Sequence, residues 1–391
     1  MRHFIMGLGG IIILAILAWL GVWFYSEMRL KQLVEDRINQ INANGIEQVL
    51  YRQLVTSHSP LVAGVTLVDP QVKVTLPALT SPIIFSAARF GAHIDLLHPL
   101  TLHIDLPQSL NISGTGDSEV LKFATASATG TLTPSLWLGS LNNPVSALDE
   151  KLTGISFLIS NGSLQIAWIG SVESHETINA SANKSQTAFS IREDLRDFRV
   201  YPVFVKLFNL PFNGEVSQLS ASLTISGPLD FQQIAQKEAN LSNENEQDQF
   251  FLQTLHDWAK AGGHTQGSLI LDLGPSLMQT NFTIAFDQQV QPQGVIKVTG
   301  NHLDAFANAI TTSYPQFQSW VSQINNVLTP YLSNTAQDGQ VLKINATYGQ
   351  DGVFLNGKKT GDLPLVDWNS LLNPSAVPSF APGDGSGAAS P

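Results

Sequence analysis

The segment Leu219-Ser220-Ala221-Ser222-Leu223-Thr224-Ile225-Ser226 decides the fold class. Apolar and hydroxyl side chains alternate strictly along it. Successive side chains of a β-strand point to opposite faces, so this period gives one dry face and one wet face. The pattern recurs along the chain. Val72 and Val74 alternate with Gln71, Lys73 and Thr75, and Leu76 continues the series. Phe282, Ile284 and Phe286 alternate with Asn281 and Thr283, and Leu342, Ile344 and Ala346 with Lys343, Asn345 and Thr347. One-sided strands of this kind suit antiparallel sheets rather than parallel ones. The expected fold class is mainly β with a few helices (α+β), built from antiparallel amphipathic sheets.

Helical periodicity appears in three places late in the chain. Gln247 to Lys260 carries Phe251, Leu252, Leu255, Trp258 and Ala259 on one stripe and stops at Gly262-Gly263. Leu303 to Thr311 carries Leu303, Phe306, Ala307 and Ile310. Pro315 opens a third helix with Phe317, Trp320, Val321, Ile324 and Leu328. The polar stretch Gln236 to Gln249 reads as a loop.

At the N-terminus, Phe4 to Tyr25 holds no charged residue. Twenty-odd helical residues rise ~33 Å, enough for a hydrocarbon core of ~30 Å. Trp19, Trp23 and Tyr25 stand at its distal end, where aromatic rings favour a membrane interface. No small-residue cleavage site succeeds the apolar run, so the sequence predicts an uncleaved single-pass anchor. Arg2 precedes the span, while Arg29, Lys31 and Arg37 come after it, which argues weakly against export of the C-terminal side. Composition argues the other way. Charged residues make up 13% of the 391, hydroxyl and amide side chains supply the polarity, and cysteine is absent. The expected location of the C-terminal domain is therefore the non-cytoplasmic side of the membrane that holds the anchor. The expected organisation is a cytoplasmic stub and transmembrane anchor (1–25), a membrane-proximal helix (26–56), a β-rich ectodomain (60–372, divisible into 60–235 and 247–372) and a disordered tail (373–391). In the proximal helix, Leu30, Leu33, Val34, Ile38 and Ile41 recur at helical spacing.

The net charge of −11 without a basic cluster excludes nucleic acid as a natural partner. Zero cysteine excludes thiol catalysis and thiolate metal sites. No catalytic constellation emerges, and no cofactor is implied. Gly352 to Thr360 approximates a P-loop, but Lys359 stands where the magnesium-binding hydroxyl belongs, and Asn356-Gly357 reads as a hairpin turn. His175-Glu176 lacks the second histidine of a zinc protease. The conspicuous polar group is His93-Ile94-Asp95 with His103-Ile104-Asp105. The even-numbered neighbours are apolar, so His93, Asp95, His103 and Asp105 share one face. If Pro99 centres a turn, His93 faces Asp105 and Asp95 faces His103. Two histidines and two carboxylates could hold a divalent metal. The simpler reading is a wet face with cross-strand pairs worth about 0.2–1 kcal/mol each.

Several short motifs then carry a resemblance. They are Trp258-Ala-Lys-Ala-Gly262-Gly263, Leu269 to Leu273 followed by Gly274-Pro275, Val290-Gln291-Pro292-Gln293-Gly294, and a strand ending at Gly300 before a helix. Asp69-Pro70, Pro99 to Pro107, and Val353-Phe-Leu-Asn-Gly with Leu363-Pro364-Leu365 add to them. Together they resemble the bacterial family catalogued as domain of unknown function 2125, over most of the ectodomain. Here Leu273 replaces the tryptophan of a Trp-Gly-Pro element, which bears on one aromatic contact. More loosely the chain is similar to AsmA-type envelope proteins, anchored the same way and built of long amphipathic sheets. The resemblance implies location and architecture but no chemistry; Trp258, Gly262, Gly263, Gly274, Pro275, Gln291, Pro292 and Gly294 are its structural residues.

Two function classes remain. If the sheets curl without closing, the apolar faces carrying Val72, Val74, Leu223, Ile225, Phe282, Ile284, Phe286 and Ile344 line a groove for lipid or another hydrophobic ligand. If those faces pack together, the chain is a structural or assembly protein that binds other envelope proteins without a ligand.

Overall fold

A computed structural model describes residues 2–43, 46–57, 59–75, 81–114, 118–134, 137, 145–238, 241, 243–335 and 339–372. The side chains of 2–16, 232, 235, 236, 238 and 244 fall outside that description, as does the tail at 373–391. Leu76 lies outside it too.

The chain opens with one long helix, α1 (Arg2–Ala43). Ten short strands come next: β1 (Glu47–Leu50), β2 (Gln53–Thr56), β3 (Val62–Val68), β4 (Gln71–Val74), β5 (Ile83–Ser86), β6 (Arg89–Asp95), β7 (Thr101–Asp105), β8 (Ser109–Ser113), β9 (Glu119–Lys122) and β10 (Thr125–Leu132). Then come four long ones, β11 (Val145–Ile159), β12 (Leu164–Ile178), β13 (Thr187–Val200) and β14 (Glu215–Ser226), with α2 (Pro202–Phe208) between the last two. Helices α3 (Phe231–Glu238) and α4 (Glu244–Lys260) lead to β15 (His264–Leu273), β16 (Ser276–Phe286) and β17 (Pro292–Gly300). After α5 (Leu303–Ser313) and α6 (Gln318–Leu328) the chain ends in β18 (Leu332–Thr335), β19 (Gly339–Gly349), β20 (Gly352–Leu355), β21 (Lys358–Gly361) and α7 (Trp368–Leu372).

All pairings are antiparallel, and they join the strands into one sheet that does not close. The ten short strands are five long ones, each broken once. One row of halves pairs in the order β1, β4, β5, β8, β9, and the other in the order β2, β3, β6, β7, β10. β9 and β10 then both lie along β11. From there a plain meander runs β11 to β17 and on to β19, crossing from β14 to β15 without a gap.

The breaks fall in line across the sheet, at 51–52, 69–70, 87–88, 106–108 and 123–124. Backbone bonds cross at the crease, from Asp69 N–H to Ala88 O (3.0 Å), Phe123 N–H to Gln108 O (2.9 Å) and Ala124 N–H to Thr153 O (3.0 Å). Left-handed residues mark it: Asp69 (φ 51°), Gly154 (φ 57°) and Asp197 (φ 55°). Gly154 is required twice over, because a Cβ there would lie 2.7 Å from Ala124 Cβ. Pro70 comes directly after Asp69, at a break where its missing N–H costs no ladder bond.

The core lies where α1 covers the sheet. Leu30 is buried against Val65, Ile94, Leu102 and Leu132, with Leu33 and Val34 beside it. One turn further, Ile38 is buried with Val49 and Leu67, and Ile41 and Val72 pack on them. Each fully buried aliphatic side chain stabilises by about 1.5–3 kcal/mol. The helical stripe expected from Leu30 to Ile41 is thus the packing face.

The structure corrects two expectations. The proximal helix stops at Ala43, and 47–56 are strands β1 and β2. Val49 sits across from Val72 there, a β-branched residue with a strand partner instead of a helix face. The loop expected at Gln236 to Gln249 is shorter, since α3 reaches Glu238 and α4 starts at Glu244, where the Asn243 side chain accepts from Glu246 N–H. The anchor expected over Phe4 to Tyr25 falls in α1, partly on side chains outside the description. Among the described residues no helix is long and apolar enough to cross a membrane.

Candidate functional site

Four places carry the residues singled out by sequence. The first is the β6–β7 hairpin. It forms over the expected segment and keeps the two histidines on the face away from α1. Its register differs by two residues. His93 faces His103, and Gly91 faces Asp105. The turn centres on His98 rather than Pro99, because the Asp95 carboxylate accepts from Leu97 N–H (3.0 Å) and Asp95 O from His98 N–H (2.8 Å). The Leu97 backbone hydrogen bond also holds the Asp95 carboxyl below its usual range. The two rings stack at 5.0 Å, His93 Nδ1 lies 3.0 Å from Asp105, and Asp95 turns to His98 at 3.4 Å. The four residues therefore do not converge: His93 pairs with Asp105 and stacks on His103, while Asp95 pairs with His98. Among the described residues no group of three or more His, Asp or Glu is placed to hold a metal ion.

The second place is the apolar face of the meander. Register aligns Leu219 with Leu271 and Met278, Ala221 with Leu269, Leu223 with Gly267 and Phe282, and Ile296 with Phe282. Ile344 lies opposite Val298. This is the face that α1 covers further up the sheet. From β14 to β19, the helices of the described residues meet it at its ends. Helix α4 meets one end, where Trp258 is buried on Phe286, and α5 meets the other, where Leu303 packs at Gly300 and Met278. Between them Leu219 stays 40% and Leu269 46% exposed. Leu223, Ile225, Phe282, Ile284, Phe286 and Ile344 are half-buried. Val72 and Val74 are half-buried as well, but Val72 belongs to the core under α1.

The apolar face is interrupted at β11 to β13. Glu150 faces Ser174, Ser174 faces Glu193, and Glu176 is one position along. Partial burial raises the Glu150 carboxyl above its ordinary value, with Glu193 and Glu176 adding to it. Sequence reading missed this acidic row because it depends on the register of three strands.

The third place is the opposite face of the same strands, a polar depression. His175 Nδ1 is 2.5 Å from Asp149, and Lys151 Nζ is 2.6 Å from Glu173. Asp194 is 6% exposed and accepts from Arg192 Nε (2.6 Å) and Ser220 Oγ (2.5 Å). The Arg192 hydrogen bond and charge hold its carboxyl low. Its two buried members, Asp194 and Ser220, are hydrogen-bonded within the group, which is what a structural network requires.

The fourth place gathers the motif residues, and packing explains most of them. Trp258 Nε1 donates to Ser226 O (2.9 Å), and the indole lies against Gly263 so closely that a Cβ there would meet Cε2 at 2.2 Å. Gly262 (φ 87°) turns the chain after α4, and Gly274 (φ 57°) turns it between β15 and β16, with the exposed Pro275 next. Gln291 clamps the C-terminal segment through Val366 N–H (2.7 Å) and Val366 O (3.1 Å), and Pro292 starts β17. A Cβ on Gly294 would lie 2.3 Å from Thr283 O. The P-loop-like segment is the hairpin β20–β21, turning at Asn356 (φ 50°) and Gly357 (φ 82°).

Residues 23–346 match the model of the family DUF2125, described as an uncharacterised protein conserved in bacteria. No curated protein and no solved structure matches the chain.

Proposed function

The chain belongs to the uncharacterised bacterial family DUF2125, and on that premise we propose that it is a membrane-tethered envelope protein that takes lipid or another hydrophobic ligand onto the open apolar face of β14 to β19. The observation that carries this reading is the exposure of Leu219 (40%) and Leu269 (46%) among apolar side chains, with helices at both ends and, among the described residues, none along the middle. A contiguous apolar patch is costly to leave in water. An acyl chain lying in it gains about 0.8 kcal/mol per shielded CH₂. The acidic row of Glu150, Glu176 and Glu193 limits the trough to the β14–β19 side, away from α1. The uncharged stretch from Phe4 to Tyr25 supports the tether, and the hydroxyl- and amide-rich composition without cysteine supports a periplasmic domain on an inner-membrane anchor. Native mass spectrometry of the detergent-extracted full chain tests the reading; it is expected to detect co-purified lipid, released when a charge is placed on the face.

A second reading is an assembly protein that binds other envelope proteins. It is favoured by apolar side chains on the short helices, Val203, Leu207 and Phe208 on α2 and Phe317, Trp320 and Val327 at α6, which are 46–71% exposed. Lipid-free protein that captures envelope proteins through these helices supports this reading instead.

A further inference from the structure

Helix α1 does not leave the domain as a free stalk. Trp19 Nε1 donates to Pro60 O (2.8 Å), in the loop between β2 and β3. Tyr25 Oη donates to Trp137 O (3.0 Å), and Trp137 Nε1 donates to Pro99 O (3.2 Å), in the turn between β6 and β7. Ala18, Gly21, Val22 and Tyr25 of the helix, with Pro99 and Trp137, line one apolar cleft. The domain therefore grips the helix from residue 19 onward.

Length then becomes decisive. The uncharged segment starts at Phe4. From there to Ala18 it offers 15 residues, or ~22 Å of helix, and a hydrocarbon core is ~30 Å thick. A spanning helix must supply the remaining ~8 Å from Trp19 to Tyr25, the very turns held by the loops. Whatever sits beside those turns is drawn down with them. The loop tips are built for that environment. Leu61 is 56%, Leu97 69% and Leu100 41% exposed, and on the helix Val22 and Phe24 are 52% and 66% exposed. The stretches Ser57 to Leu61 and Leu96 to Leu100 contain no Lys, Arg, Asp or Glu. Apolar tips that carry one histidine each, His58 and His98, and no lysine or arginine fit the zwitterionic interior of an interface rather than an anionic surface.

We propose that Leu61, Leu97 and Leu100 enter the bilayer leaflet through which α1 emerges, so that the domain is seated in the membrane surface rather than suspended from it. This rests on the anchor reading above, and its test separates the two. The chain has no native cysteine, so single-cysteine variants carry one environment-sensitive fluorophore each. Full-length Ile12→Cys, Leu97→Cys, Leu100→Cys and Glu119→Cys are placed in phosphatidylcholine nanodiscs containing nitroxide lipids. Glu119 starts β9, at the strand end away from the β6–β7 turn. The expected result is strong quenching of Ile12→Cys by a deep nitroxide. Leu97→Cys and Leu100→Cys are quenched by a shallow one, and Glu119→Cys stays unquenched. High salt leaves the pattern unchanged. If Ile12→Cys is quenched while both loop labels stay as wet as Glu119→Cys, the anchor stands and the seated domain is overturned. If Ile12→Cys is itself unquenched, the anchor fails and the seating fails with it.

Discussion

Leu269→Asp separates an open trough from a hidden core. Leu269 lies between Ala221 and Thr280 in the register and is 46% exposed. Full burial of a leucine is worth about 1.5–3 kcal/mol, so a side chain about half covered contributes roughly 1–1.5 kcal/mol. An aspartate there keeps water at its carboxylate. The expected loss in a urea titration of tryptophan fluorescence is therefore at most about 2 kcal/mol, with the slope unchanged. Ile284, half-buried opposite Gly294, is the deeper counterpart, and Ile284→Asp is expected to cost about 2–3 kcal/mol. Were the same face covered, either change would bury an unpaired carboxylate, costing more than about 4 kcal/mol and unfolding a domain of ordinary stability. Lipid carried through purification, measured by native mass spectrometry, should drop sharply in both variants. Loss of the folding transition in Leu269→Asp would falsify the open face. Wild-type protein free of lipid, with both variants folded, would leave the face open but remove lipid as its occupant.

The same geometry sets other outcomes. Gly263→Ala puts a methyl group 2.2 Å from the Trp258 ring, so the indole must move and give up Ser226 O; a loss of about 2–4 kcal/mol is expected by thermal or urea unfolding. His93→Ala and Asp105→Asn remove one exposed pair and should each change stability by less than about 0.5 kcal/mol, because solvent screens that contact. The raised Glu150 carboxyl means that the folded chain holds this proton more tightly than the unfolded one. Its contribution to stability is therefore unpenalised below the unfolded value and falls as pH rises through the interval up to the folded value. Glu150→Gln should stabilise at pH 7, by less than about 1 kcal/mol for so exposed a group, and the gain should vanish near pH 4. Asp194 has the opposite sign. Its carboxyl is held low by Arg192, so Asp194→Asn should destabilise at neutral pH, and the difference should shrink on acidification.

Much of the sheet is legible as period-two alternation. β14, β16 and β19 lie on the segments around Leu223, Ile284 and Ile344, and α4 and α5 lie on their stripes. What escapes the sequence does so for local reasons. The crease at Asp69 and Asp197 uses non-glycine residues in the left-handed region, which no residue type announces. β1 and β2 escape because Ile46, Val49 and Leu50 stand at i, i+3 and i+4, a helical spacing, although only Val49 of them is buried in the strand. α2 has seven residues, under two turns. The register of β6 and β7 depends on an Asp95 side chain closing its own turn, and a shift of two residues moves every partner while leaving the faces intact. That is why the shared face of His93 and His103 is readable and their partners are not. On the apolar face the same logic holds. Leu223 and Phe282 are assignable to a dry side from sequence, but the acidic row beside them appears only once three strands are in register.

Alternation alone does not distinguish a filled core from a groove, since both need one dry face. In this chain the difference is the supply of cover. The C-terminal half of α1 lays Leu30, Leu33, Val34, Ile38 and Ile41 along the creased strands, and that part of the sheet is a core. The meander from β14 to β19 has the same dry face, and among the described residues the ends of α4 and α5 meet it. On α6, Val321, Ile324 and Leu328 are half-buried, while Phe317 at its start and Trp320 and Val327 on it remain 46–71% exposed. The uncovered apolar area is therefore set by which helices the chain devotes to the sheet rather than by the strands themselves. A chain that lays the C-terminal half of its 42-residue first helix along one stretch of the face and, among the described residues, no helix along the next leaves Leu219 and Leu269 exposed on that second stretch.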